Sequence, residues 1–217
     1  MLMSPATRKF VLTAHVTSSV GWFGALLVFF AHSAASLASS DEQVVRSVCI
    51  SMGVTAWFVI LPLSLASFVS GIVQALGTAW GLVRHYWVVT KLLLTTFATA
   101  ILLLKLAPIG DLSKEAAAAS FSATSFADLK ASLLVHSIGG LVILLGICIL
   151  AIYKPTGRTP LARGEARAEG AGEAARASVP RWVRISPVVA AALALALTQL
   201  VFHGGHGPEM HSQQTLR

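Results

Sequence analysis

Seven histidines stand in a chain of 217 residues that carries only nine Asp and Glu, and three of them fall where an imidazole is least expected. His15 and His136 lie well inside long apolar runs, and His85 follows Arg84 at the start of a third run that also contains Lys91. An ionisable side chain within a membrane segment costs about 2.5–3.5 kcal/mol at the centre and less near an edge, so each such group is a functional candidate by default. Neutral imidazoles on facing helices ligate haem iron, and helical bundles hold cofactors between their helices in this way. Small residues beside a ligand let a flat macrocycle approach. His136 is followed by Gly139 and Gly140, and His15 by Ser18, Ser19 and Gly21. Arg84 and Lys91 are spaced to share one helical face, where they would neutralise haem propionates.

The same residues also have a plainer use. Trp80, Tyr86 and Trp87 together with Arg84 and Lys91 compose an aromatic belt with a positive anchor. Lys91 can snorkel back to the headgroups. A histidine hydrogen-bonded to a neighbouring Ser or backbone carbonyl serves packing alone. A separate cluster closes the chain, where His203, His206 and His211 lie among Gly, Glu209 and Met210. Imidazole with thioether suits copper, and imidazole with carboxylate suits zinc or nickel. The glycine-rich backbone gives such a site no preorganisation, so the alternative is a flexible tail whose histidines are incidental.

The elements that must position these groups are membrane helices. Hydrophobic residues make up 55% of the chain and charged residues 12%, with mean hydropathy +0.76, against roughly 25% charged in a typical soluble domain. A spanning helix needs about 20 mostly apolar residues. Five runs qualify: Phe10 to Ala31, Cys49 to Leu76, Tyr86 to Leu106, Ala131 to Tyr153 and Ile185 to Phe202. The fold class expected is all-α, with a four-helix transmembrane core over residues 1–153 and a fifth, C-terminal transmembrane helix over 185–202. Residues 154–184 mix Ala, Gly, Arg and Glu with few large apolar side chains and read as a disordered basic linker, and 203–217 as a His-rich tail. The first run follows Arg8 and Lys9, as a signal peptide would. Its apolar stretch exceeds the about 7–15 residues of a signal core, which favours a retained helix.

Basic residues set the expected orientation. With the N-terminus inside, eleven of the 16 Lys and Arg face the cytoplasm, and the C-terminus lies outside. His15 and His85 then share the cytoplasmic depth, while His32 and His136 share the outer depth. His15 and His32 point about 100° apart around the first helix, so they do not address one partner face squarely. Pro62 should kink the second helix, with Ser64 or a neighbouring helix satisfying the freed carbonyl. Ser67 and Gly71 form a small-xxx-small pair for close helix packing. Ser125 and Asp128 resemble a capping box opening the fourth helix. All nine carboxylates are placed in loops or the tail, which leaves no paired intramembrane acids for a proton relay.

The net charge of +7 sits in short segments between apolar runs, a topology pattern that argues against nucleic acid as a partner. Cys49 and Cys148 form no C-x-x-C pair and read as small packing residues. The phosphate-loop, dinucleotide, metalloprotease and nucleophile-elbow strings are absent from the sequence.

Two stretches, Leu61 to Ser67 (LPLSLAS) and Gly77 to Lys91 (GTAWGLVRHYWVVTK), resemble a family of uncharacterised bacterial multi-pass membrane proteins. The likeness covers Lys9 to Lys154, and its specific element is Trp-Gly-x-x-Arg-His-Tyr-Trp. A looser similarity is to the copper-resistance D type, whose bundles carry intramembrane His and Trp. That resemblance implies copper or haem handling at His15, Trp22 and His136. The reading that follows is an inner-membrane protein binding haem b or copper through intramembrane histidines. A cofactor-free structural or assembly subunit is the alternative, with the basic linker as a docking segment for a membrane-protein partner and the Arg84, Trp87, Lys91 face holding anionic lipid or a partner. A small-solute transporter is weaker, because repeat symmetry is not evident.

Overall fold

The computed structural model describes residues 3–78, 81–124 and 126–154 together with 157 and 159. Its elements are α1 (Pro5–Ala38), α2 (Glu42–Thr55), a π-helical turn (Ala56–Ile60), α3 (Leu61–Leu76), α4 (Tyr86–Ala117) and α5 (Ala127–Tyr153). Four helical stretches among the described residues are long and apolar enough to cross a membrane, α2 through α3 counting as one. The described residues are all-helical, and their four apolar stretches fit a multi-pass membrane protein. The expected fifth helix, the His-rich tail, Trp80 and Ser125 lie outside the described residues.

All four stretches are longer than the sequence patterning indicates. The expected polar segment from His32 to Val48 shrinks to a connection of three residues, because α1 continues to Ala38 and α2 begins at Glu42. Asp41 caps α2, its Oδ1 accepting from the backbone N–H of Gln43 at 2.8 Å and of Val44 at 3.4 Å, which satisfies two donors that every helix start leaves open. On the third span, α4 runs through Pro108 to Ala117, past the boundary expected at Leu106. Proline interrupts a single backbone bond there, while Ile109, Leu112 and Ala116 beyond it are buried in the common core with Val45, Cys49 and Met52 of α2. Packing of that stripe outweighs the proline cost of about 3 kcal/mol. The longer helices also correct the placement of the acidic groups: Glu42, Asp111, Glu115 and Asp128 are helical, all within the terminal turns at one end of the bundle.

Pro62 acts through the backbone, and Ser64 does not take the role expected of it. Ser64 Oγ donates to the Leu61 carbonyl at 2.8 Å. The ladder instead slips by one residue, with Leu61 N–H bonding the Ala56 carbonyl across a widened π turn, a known way for a helix to absorb a missing donor. At the start of α5 the N-cap is Phe126 in the left-handed region, with φ 60° and no side-chain cap.

α1 packs on α3, α5 and α2, and α4 packs on α2, α5 and α3, so the bundle core draws from every helix: Trp22, Phe29, Met52, Ile60, Leu112 and Leu133 are among its buried members. Arg46 ties the end that carries the carboxylates. Its guanidinium donates to the carbonyls of Ala116 and Ala118 at 3.2 and 2.6 Å and lies 5.4 Å from the Phe121 ring centre. A cation on the last carbonyls of α4 satisfies acceptors the helix end leaves open. Lys130, only 2% exposed, closes the α4–α5 turn on the Ala123 carbonyl.

α2 and α4 approach closely at Gly53. A Cβ on Gly53 would meet both Ser113 side-chain atoms, and Ser113 Oγ donates to the Ile50 carbonyl at 3.3 Å. Gly53→Ala is expected to lower stability by about 1–3 kcal/mol through overpacking. Gly146→Ala, which meets nothing within 4 Å, should leave stability unchanged or raise it by up to about 1 kcal/mol. Midpoints of SDS-induced unfolding in micelles measure both.

Candidate functional sites

Two cavities open within the bundle, and each is lined by one of the two deeply placed histidines. The larger, about 160 Å³, is bounded by His15, Ser67, Gly71, Trp87, Lys91 and Lys154 among others. It lies at the end where the N-terminus of α1, the α3–α4 connection and the C-terminus of α5 meet. The smaller, about 70 Å³, has Trp22, Phe29, Lys105, Leu133, His136 and Gly140 on its walls and lies deeper, toward the opposite end. The two sets of lining residues do not overlap.

The seat of His15 is built by α3. Its Nδ1 donates to the Ser67 carbonyl at 3.0 Å and lies 3.2 Å from Ser70 Oγ. A carbonyl can only accept, so the proton sits on Nδ1 and the neutral ring keeps its lone pair at Nε2. Gly71 lies against the ring, where a Cβ would come within 3.1 Å of His15 Cε1. Ser19 Oγ and Ser67 Oγ share a 2.7 Å hydrogen bond one turn further along. The Ser67–Gly71 pair is thus a close-packing motif, and what it admits is an imidazole.

His136 is oriented by its own helix. Nδ1 bonds the carbonyl of Ser132, four residues earlier, with Ser132 Oγ 3.3 Å away. Lys105 Nζ donates to that same hydroxyl at 3.4 Å, so Lys105, Ser132 and His136 form one chain of contacts joining α4 to α5. His136 Nε2 is buried and has no hydrogen-bond partner among the described residues. One turn further along α5, Gly140 allows α1 to close in, for a Cβ there would meet Leu26 at 2.9 Å.

The remaining candidates are placed differently. Lys91 shares the larger cavity with His15, its ammonium 5.8 Å from the Trp87 ring centre, a cation–π distance. Arg84 lies in the bend that precedes α4, outside the helix, so the expected sharing of a helical face with Lys91 does not hold. His85 is the N-cap of α4, with φ −128° and ψ 132°, and is not among the residues lining either cavity. This segment pairs with residues just after α5: Tyr86 N–H bonds the Gly157 carbonyl at 3.4 Å, and Thr159 N–H bonds the Arg84 carbonyl at 3.0 Å. The first residues of the expected linker are therefore tied to the bundle. His32 lines neither cavity, and its Nδ1 is also buried without a partner among the described residues. His203, His206 and His211 lie outside the described residues. Among the described residues no group of three or more His, Cys, Asp or Glu is placed to hold a metal ion. Sequence reading missed Lys105 and Ser132, although a serine four residues before a histidine is a readable back-bonding signal.

No family model, curated protein or solved structure matches this chain.

Ser67→Ala removes the hydroxyl bonded to Ser19 and leaves the carbonyl that holds His15, so it should cost only about 0.6 kcal/mol, the mean for such membrane hydrogen bonds. Gly71→Leu should cost more, about 1–3 kcal/mol, by driving the ring from its seat. Thermal unfolding followed by circular dichroism in the same detergent separates the two.

Proposed function

We propose that the protein is a multi-pass protein of a bacterial inner membrane, N-terminus in the cytoplasm, that binds a small neutral amphiphile through His136. One observation carries this reading: His136 Nε2 is buried, has no partner among the described residues and belongs to a residue lining an apolar cavity. An unsatisfied buried polar atom costs about 1–3 kcal/mol. A ligand hydroxyl recovers that by donating to Nε2, and it can accept from the neighbouring Lys105 ammonium while its apolar body rests on Trp22, Phe29 and Leu133. The resident ammonium repels a bare cation. A volume of about 70 Å³ is roughly half that of a cavity that takes up benzene, so it fits a head group and is too small for a macrocycle. The described residues therefore do not fit haem b, since each cavity also has a single histidine among them. Orientation rests on the end that gathers Arg8, Lys9, Arg84, Lys91 and Lys154.

Copper is the second reading. It is supported by the bare Nε2 opposite an Nδ1 held by a carbonyl, the way metal-ligating imidazoles are oriented, and by the looser resemblance to copper-resistance D proteins. The test is solvent extraction and mass spectrometry of detergent-purified protein, with metal analysis and oxidised and reduced spectra on the same sample. The expected result is a hydroxylated organic molecule retained by wild type and reduced at least about fivefold in His136→Ala. Stoichiometric copper lost in that variant would support the second reading. A reduced haem band, or a sample holding neither molecule nor metal, overturns both.

A further inference from the structure

The larger cavity carries an electrostatic pattern that the His136 reading leaves unused. Lys91 and Lys154 both line it together with His15, Gln74, Thr78 and Thr95. Among the described residues the carboxylates are Asp41, Glu42, Asp111, Glu115 and Asp128, and all five stand at the opposite end of the bundle. Two of these already have partners there, Glu42 with Arg46 at 3.5 Å and Asp111 with Lys114 at 3.2 Å. The contact shown for the Lys91 ammonium is the Trp87 ring. An aromatic face shields a cation and leaves its charge uncancelled. Such a group near a membrane's apolar region is a binding-site candidate by default.

The remaining walls say what else the occupant carries. Phe68, Ile72 and Leu92 line the same space, so it joins two cations and several hydrogen-bonding side chains to apolar surface. A soluble anion uses only the first part of that lining, whereas an amphiphile with an oxyanion head uses both. Lys154 stands at the C-terminal cap of α5, exposed at the mouth, and Lys91 lies deeper on the second turn of α4. Two ammonium groups at different depths suit a head that enters from the membrane surface with its chains alongside the helices. About 160 Å³ is enough for a phosphate and its first carbons, given that a comparable cavity of about 150 Å³ accepts a six-carbon ring.

We infer that the cavity between α1, α3, α4 and the end of α5 is a binding site for the phosphate head of an anionic membrane lipid, with Lys91 and Lys154 as its cationic contacts. The shared chemistry is a phosphate oxyanion. The lipid is distinguished from free phosphate by the apolar walls. The site is separate from the His136 cavity and stands whether or not that cavity holds a ligand.

Native mass spectrometry of the full chain in mild detergent tests it, with phosphatidylglycerol, phosphatidylcholine and inorganic phosphate as probes. Wild type should retain phosphatidylglycerol in preference to phosphatidylcholine. Lys91→Gln and Lys154→Gln should each weaken retention about fivefold, and the pair more than tenfold. Lys91→Arg should restore most of it. Lys154 is exposed, so its substitution leaves folding intact even if Lys91→Gln does not fold. The double variant Arg8→Gln, Lys9→Gln removes equal charge from the same end without touching the cavity and should bind as wild type does. Failure of millimolar phosphate to displace the lipid upholds the lipid source. Displacement by phosphate overturns the lipid assignment. Equal losses in the Arg8, Lys9 variant and the cavity variants, or no preference over phosphatidylcholine, overturn the site itself.

Discussion

Inside a bilayer no water is at hand to satisfy a polar atom, so every such group carried into the bundle needs a partner from the chain, and the imidazole of His15 meets that demand by fixing how α1 lies on α3. Its Nδ1 reaches the Ser67 carbonyl only because position 71 is glycine and leaves the ring its place. Ser19 then meets Ser67 one turn on, so the two helices are held in one register. The same rule shapes the far end of the bundle, where Arg46 and Lys130 occupy carbonyls that the α4–α5 turn would leave bare. The His15 and Arg46 contacts join elements distant in sequence, whereas Lys130 closes its own adjoining turn.

The two histidine seats use different devices to the same result. His15 is held across a helix interface, whereas His136 leans on the carbonyl of its own preceding turn. In both, the proton is committed to Nδ1, and each histidine itself lines a cavity. A lysine stands beside each, Lys91 with His15 and Lys105 with His136, and no carboxylate is among the described lining residues. Cavities of that character select for neutral acceptors and donors or for anions, which is why the account favours amphiphiles over metal cations at both places.

The spans were legible in the sequence because a run of about 20 apolar residues has few other uses, and His15 and His136 stood out as ionisable groups inside such runs. Helix ends were less legible. Pro108 reads as a stop, yet Ile109, Leu112 and Ala116 continue a buried stripe whose partners on α2 lie some sixty residues away. The slip of register before Pro62 has no sequence signature beyond the proline itself. Ser67 and Gly71 announced close packing but could not announce which side chain would fill the space. Arg84 and Lys91 looked like neighbours on one face only so long as both were assumed helical, and the extended pairing of residues 84–86 with 157 and 159 removed that premise.

The central claim is that carbonyls of the bundle hold both imidazoles as neutral rings protonated at Nδ1, which leaves Nε2 of His136 as the acceptor for the proposed ligand. Nitrogen-15 NMR of selectively histidine-labelled protein in lipid nanodiscs reads this directly, since protonated and bare ring nitrogens resonate far apart and His15→Gln and His136→Gln assign the signals. The account predicts a protonated Nδ1 and a bare or ligand-shifted Nε2 for both residues at neutral pH. A proton on Nε2 of either ring, with Nδ1 bare, would contradict it.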